Sequence, residues 1–345
     1  MDRRSFVRTT AGLGSVALTT PFVDVAGLRS LLEREAGRAP GSKRSAGARV
    51  AFVKTRDRAH GVRRSLELLE FDSARGKDLF LKPNFNSHHE TPGSSHEETL
   101  TTLVRTLQSG GASRITLGDR SGMGDTRGVM ERKDIFRMAD ELGFETVLFD
   151  ELDETGWEML QPQDSHWGSG FAIPRPVLEA DGVIQTCCLK THQFGGHFTM
   201  ALKNSVGLVA KRLPGDTHDY MRELHGSPDQ RRMIAEINAA YEPDVVVLDG
   251  VEAFVNGGPH SGEKVTAEVV LAGSDRVAVD AVGVAILRHF GTTQEVSQGD
   301  IFELEQIARA VELGLGVDGP EKIELVTDDP ESEVYAEQIR GVMLA

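Results

Sequence analysis

From Arg49 onward short β-rich runs alternate with stretches of helical spacing, and this alternation constrains the fold more than any other feature of the chain. RVAFVK (49–54), DLFLKP (78–83), RITLGD (114–119) and ETVLFD (145–150) read as strands. Between them, RRSLELLEF (63–71) has helical periodicity, and Leu100, Leu103, Val104 and Leu107 fall at i, i+3, i+4 and i+7 behind a Ser95-x-x-Glu98 capping box. A helix is expected around 130–142. After a less regular stretch at 151–180, GVIQTCCLK (182–190), PDVVVLDG (243–250), AEVVLAG (267–273) and KIELVTD (322–328) read as further strands, with a helix through Ala278, Val282, Ala285, Ile286 and His289. Strand–helix alternation predicts an α/β fold, a mostly parallel sheet flanked by helices, in one sheet or two lobes.

The segment before this body differs in kind. MDRRSFVR places Arg3–Arg4 ahead of Phe6 and is followed by a weakly apolar stretch. A basic start and a short apolar run resemble a twin-arginine export signal; a surface helix with a chance arginine pair is the plainer alternative. Residues 1–27 are expected to be that signal, 28–48 a linker, 49–330 the folded domain and 331–345 a C-terminal tail. Asp24 spoils the small-x-small cleavage pattern before Ala26, so an uncleaved tether is one expected outcome. The implied location is periplasmic or otherwise extracytoplasmic, with the twin-arginine translocase as a partner.

Charge narrows the partners. The 38 basic and 53 acidic residues give a net charge of −15. The first 49 residues hold 9 basic and 4 acidic side chains, leaving 29 and 49, a net of −20, in the remainder. So acidic a body argues against nucleic acid as a partner. No run of about 18 apolar residues suits a membrane-spanning helix. The two cysteines, Cys187 and Cys188, are adjacent, so a disulfide framework and a four-thiolate cluster or zinc site built from this chain alone are excluded.

In open α/β sheets ligands bind beyond the carboxyl ends of the strands. Reading those positions gives Lys82, Asn84, Asp119, Lys190, His192 and Asp249, with Lys203 and Asn204 following in QFGGHFTMALKNSVG. A lysine there suits a phosphate or carboxylate, and a desolvated one can serve as base or nucleophile; the plain alternative is that each reaches into solvent. Gly195–Gly196 with Thr199 would expose backbone N–H groups at a helix start, a geometry that binds anions. Neither this stretch nor SGMGDTRG has the spacing of a nucleotide-binding loop. Seven of the 11 histidines lie in two regions: His88, His89 and His96, then His192, His197, His218 and His225. His192 and His197 with Asp249 are the candidate ligands of a divalent metal. Ser121 and Ser205 lack a nucleophile-elbow context.

Taken in order, Lys82-x-Asn84, Lys190-x-His192, Ala201-Leu202-Lys203-Asn204-x-x-Gly207, Asp249-Gly250, Asn256-Gly257-Gly258-Pro259-x-x-Gly262, Ser274-Asp275 and Val279-Asp280-Ala281 resemble the domain-of-unknown-function family 362, in its exported branch. The resemblance spans about residues 50–330. Many members carry a ferredoxin-like cysteine module, which implies redox or iron–sulfur surroundings and a redox partner protein; this chain has no such module. The resemblance singles out Lys82, Asn84, Lys190, His192, Lys203, Asn204, Asp249 and Asp280.

Three functions fit. The first is an exported enzyme acting on a small anionic substrate, with Lys82, Lys203, Asn84, Asn204 and Gly196 binding it and His192, Lys190, Asp119 and Asp249 catalytic, His192 moving a proton with one of the aspartates. The second is a metal- or iron–sulfur-associated redox or accessory protein. The third is a non-catalytic periplasmic binding or assembly protein.

Overall fold

A nine-stranded mixed sheet carries the described part of the chain, residues 47–345 of the computed structural model. The twin-arginine segment and residues 28–46 of the expected linker lie outside the described residues.

In chain order the first part comprises β1 (Ala48–Lys54), α1 (Arg58–Leu68), β2 (Asp78–Lys82), α2 (Glu97–Ser109), β3 (Arg114–Asp119), α3 (Thr126–Arg132), α4 (Ile135–Leu142) and β4 (Glu145–Leu148). Next come β5 (Trp157–Leu160), β6 (Phe171–Pro174), α5 (Arg175–Glu179), β7 (Gly182–His192), β8 (His197–Thr199), α6 (Ala201–Asn204), α7 (Tyr220–Gly226) and α8 (Gln230–Ile237). The last part comprises β9 (Val245–Gly257), β10 (Gly262–Gly273), α9 (Arg276–Phe290), α10 (Gln294–Ser297), α11 (Glu305–Glu312), β11 (Ile323–Val326) and α12 (Pro330–Met343).

The sheet order is β11-β1-β10-β9-β7-β2-β3-β4, with β8 beside β7, while β5 and β6 pair separately. The run β9-β7-β2-β3-β4 is parallel, and so is β1 with β11. The exception is β10, antiparallel to both β1 and β9. Its cause is local. Both strands extend well past the expected 243–250 and 267–273, so only residues 258–261 join them, and a link that short permits a hairpin but no crossover. At its tip Gly258 has φ +69°, and a Cβ there would stand 2.0 Å from the Thr191 carbonyl oxygen. The NGGP turn is thereby pressed against the end of β7.

Three apolar clusters cover the two faces. One packs α1, α2, α3 and α4 through Val62, Leu66, Leu100, Leu103, Val129 and Ile135 onto the sheet. A second sets α9 and α12 on β1, β10 and β9, and a third joins Phe80 and Val183 to α7, α8 and the β5–β6 pair. From Arg276 to Leu287 every residue of α9 is buried, as expected of a helix enclosed on all sides. Residues 331–345, set apart above as a tail, are mostly α12, whose Tyr335 ring meets Phe52 edge-on at 5.2 Å.

Two local expectations change. The helix expected at 130–142 is two, α3 and α4, because Asp134 sits at φ 54°, outside helical geometry. The Ser95 capping box does not form: His96 caps α2 through Nδ1, and Ser95 Oγ accepts the Asn84 backbone N–H at 2.8 Å.

Candidate functional site

Parallel neighbours end at the same edge of a sheet, so the order β7-β2-β3 brings Lys190, Lys82 and Asp119 together. Lys82 Nζ lies 2.8 Å from Asp119 Oδ1 and donates to the Pro83 carbonyl at 2.7 Å and to Asn204 Oδ1 at 3.3 Å. Asn204 Oδ1 also accepts Asn84 Nδ2 at 3.1 Å, and Asn84 Oδ1 accepts Lys190 Nζ at 3.0 Å. Lys190 completes its bonding at the Gly93 carbonyl, 2.7 Å away. Asp119, Lys82, Asn204, Asn84 and Lys190 thus form one buried chain of hydrogen bonds. Burial draws Lys82 and Asp119 toward their neutral forms; their contact, and the Phe85 and Arg120 backbone N–H groups on the carboxylate, hold them as an ion pair.

None of the three lysines reaches out into bulk solvent: Lys82, Lys190 and Lys203 are 1%, 0% and 6% exposed. Lys203 differs from the others in its partners. Among the described residues it has no hydrogen-bond acceptor and no carboxylate in contact, yet it lines a cleft of about 980 Å³. Burial, with the charges of Arg120 and Lys190 added, lowers its pKa to about 7. Burial lowers Lys190 to about 8. His192 is pushed well below the usual histidine range by burial and then by Lys203 and Lys190, and its Nδ1 has no partner. His225, on the same cleft, falls to about 4 by burial beside Lys203 and Arg120.

Gly196 has a different place from the expected anion cradle. The backbone N–H groups at the start of α6 are taken by a carboxylate of the chain itself: Ala201 N donates to Asp280 Oδ1 at 2.7 Å and Leu202 N to Oδ2 at 3.1 Å. Burial pushes Asp280 up to about 7. Gly196 instead makes room for the site, since a Cβ there would stand 2.5 Å from Lys203 Cε and 2.9 Å from His192 Nδ1. Gly207 does the same for the ion pair, 2.4 Å from Asp119 Oδ1 by the same measure.

Two expected residues stand apart. Asp249 turns to α1 and α2, accepting Arg58 Nε at 2.9 Å and Thr99 Oγ1 at 2.8 Å. The expected proton relay from His192 to Asp119 or Asp249 is therefore not made, because each carboxylate is held by its own cation. Removing Asp249 leaves Arg58 paired only with Glu252, 3.3 Å away, and Thr99 Oγ1 without its acceptor, so Asp249→Ala is expected to cost about 1–3 kcal/mol in a urea titration while ligand affinity at the cleft is unchanged. A matching loss of affinity at full folding would return Asp249 to the site. His197 is half-buried on β8, near Arg231, Glu295 and Glu305, and does not line the cleft. His192, His197 and Asp249 do not converge, and among the described residues no group of three or more His, Cys, Asp or Glu is placed to hold a metal.

The remaining histidines of the two regions do not line the cleft. His88 stacks on His89, and His89 lies 5.2 Å from His260; His96 caps α2, and His218 bonds Glu223 at 2.8 Å. Cys187 and Cys188 are buried thiols, with Cys188 pushed up to about 11 by burial, so neither is a ready thiolate. Sequence reasoning missed Arg120 and His225 as members of the site. Arg120 is 2% exposed, reaches the Val206 carbonyl, and has an Nε with no partner. Its place directly after Asp119 at a strand end was the available signal. His225, on α7, showed only as a member of the second histidine-rich region.

Against known proteins, the model of a domain of unknown function, DUF362, matches residues 79–285. A thylakoid-associated protein of Synechocystis sp. is 26% identical over 219 residues, 62% of this chain and 64% of that protein. This chain thus spans just under two thirds of the length of that curated relative. Among solved structures, the lactate racemase apoprotein of Thermoanaerobacterium thermosaccharolyticum aligns over 67% of this chain and 54% of its own, with a TM-score of 0.43 and 16% identity.

Proposed function

We propose, from the premise that this chain belongs to the DUF362 family, that it is an enzyme whose substrate carries a carboxylate or phosphate held over Lys203. One observation carries the reading: a buried lysine lining a large cleft, with no anionic partner among the described residues. An uncompensated buried cation is costly, and an anionic ligand supplies the missing partner.

The surrounding groups suit this role. Arg120 and Lys190 both add positive potential at Lys203, whereas the Lys82–Asp119 pair is internally neutral and serves to position Asn204 and Asn84. Lys203, poised near neutrality, can take or return a proton at the substrate, as general acid–base catalysis requires. His192, neutral in this setting, supplies a hydrogen bond and not a second charge. This assigns the proton transfer expected of His192 and an aspartate to Lys203.

Calorimetry with acetate and with inorganic phosphate, in two buffers of different ionisation heat, tests the reading. An anion beside Lys203 favours its charged form. Binding at pH 8 is expected to take up close to one proton, falling toward none at pH 5.5, and affinity should weaken above pH 7. Binding without proton uptake at pH 8, or no binding of either anion, would overturn the assignment.

A further inference from the structure

Size is the first indication that the ligand is more than a bare anion. A water molecule takes up about 30 Å³, and a carboxylate or phosphate head is only a few times larger. The cleft, at about 980 Å³, is at the upper end of the range that encloses ligands with a sizeable organic body.

Its lining has two parts. Among the described residues, Lys203 and Arg120 are the lining cations with no carboxylate in salt-bridge contact, Arg120 feeling Asp150 and Asp119 only at longer range, while the outer cations are matched: Lys211 with Asp150 at 3.2 Å, and Arg212 with Asp219 at 2.7 Å. The rest of the wall includes Met123, Phe194, Val206, Met221 and Pro259. Met123 and Phe194 are 40% and 53% exposed, come from different loops, and line this one cleft. Phe194 is also held in place. Its ring meets His192 edge-on at 5.8 Å, and its carbonyl accepts Gln230 Nε2 at 3.3 Å. Single exposed apolar side chains are ordinary; two that converge on a cationic cleft offer an apolar surface to whatever fills it.

We propose that the substrate is an amphipathic anion, a carboxylate or phosphate head at Lys203 and Arg120 joined to an apolar body that packs against Phe194 and Met123. This rests on the anion-binding reading above and extends it to the rest of the molecule.

The test is a calorimetric chain-length series on the full chain, acetate to octanoate and methyl to octyl phosphate, below micellar concentrations. Affinity is expected to rise about fourfold per methylene over the first several carbons, as burial of that group gives. Whichever series shows the rise identifies the head. Phe194→Ala and Met123→Ala should weaken the octyl ligand more than the one-carbon ligand, and octylammonium should not compete. If acetate or phosphate binds but affinity is flat with length in both series, the apolar body is wrong and the anion site stands. Should no anion of any length bind, the anion site itself fails; competition by octylammonium as strong as by octanoate would remove the anionic head.

Discussion

Replacing Lys203 with methionine is expected to weaken acetate or phosphate binding at least about 30-fold while making the protein more stable. The first effect follows from removing the partner of a buried charge, which costs about 2–5 kcal/mol in an interface. The second follows because methionine fills similar space without a charge to desolvate. Near pH 7 the gain is expected to be on the order of 1–4 kcal/mol, the range seen when buried charges give way to apolar groups. The pH dependence is specific. Lys203 has a folded pKa of about 7 against roughly 10.4 in an unfolded chain, so between these values the unfolded state holds the extra proton. Stability of the parent protein therefore gains from Lys203 as pH rises across that window, and the variant lacks this contribution. Urea titrations at pH 6, 8 and 10 should show the variant's advantage greatest at pH 6 and shrinking toward pH 10. A variant less stable than the parent at pH 6 would make Lys203 a structural residue.

Lys82→Met is expected to do the opposite, lowering stability by about 3–5 kcal/mol. Among the described residues its ammonium is the one side-chain cation bonded to Asp119, and both are enclosed, at 1% exposure each. Once unpartnered, the Asp119 carboxyl is driven above the usual carboxylate range by burial, so the folded variant holds a proton that the unfolded chain gives up. The deficit should then shrink as pH falls toward 4 and widen above it. Adding Asp119→Asn should recover part of the loss, and a double-mutant cycle measures the coupling. Additive single effects, with no recovery, would mean that the 2.8 Å contact contributes nothing specific.

Much of the fold was legible because strand-helix alternation is a local signal, and β1, β2, β3, β7 and α9 fall where the apolar runs place them. The antiparallel β10 was not. Its pairing is set by the extension of two strands through AFVNGG and GEKVT, where charged and glycine residues hide the period. Strand-end reasoning located Lys82, Asn84, Asp119, Lys190 and His192 because the end of a parallel strand is a position along the chain. It failed for Asp249 because which face a strand-end side chain takes depends on the pleat and on Arg58, 191 residues away. Ser95 shows a local motif overridden by a tertiary donor, the Asn84 N–H. Lys203 was singled out by the ALKN-x-x-G resemblance and as an anion-binding lysine, but not as the one without a partner among the described residues. That it has no partner is a property of everything folded around it, and no window of sequence displays that.

Sheet polarity also settles how the molecule can be handled. β1 runs parallel to β9, β7, β2 and β3, since β10 reverses direction twice between them. Ala48 therefore enters at the opposite end of the sheet from the strand ends that bear Lys82, Asp119 and His192. A surface coupled immediately ahead of Ala48 would hold the sheet by its far end and leave the mouth of the cleft facing the flow. Immobilised binding assays are best anchored there, and attachment through the loops around Met123 or Phe194 would obstruct the cleft that these residues line.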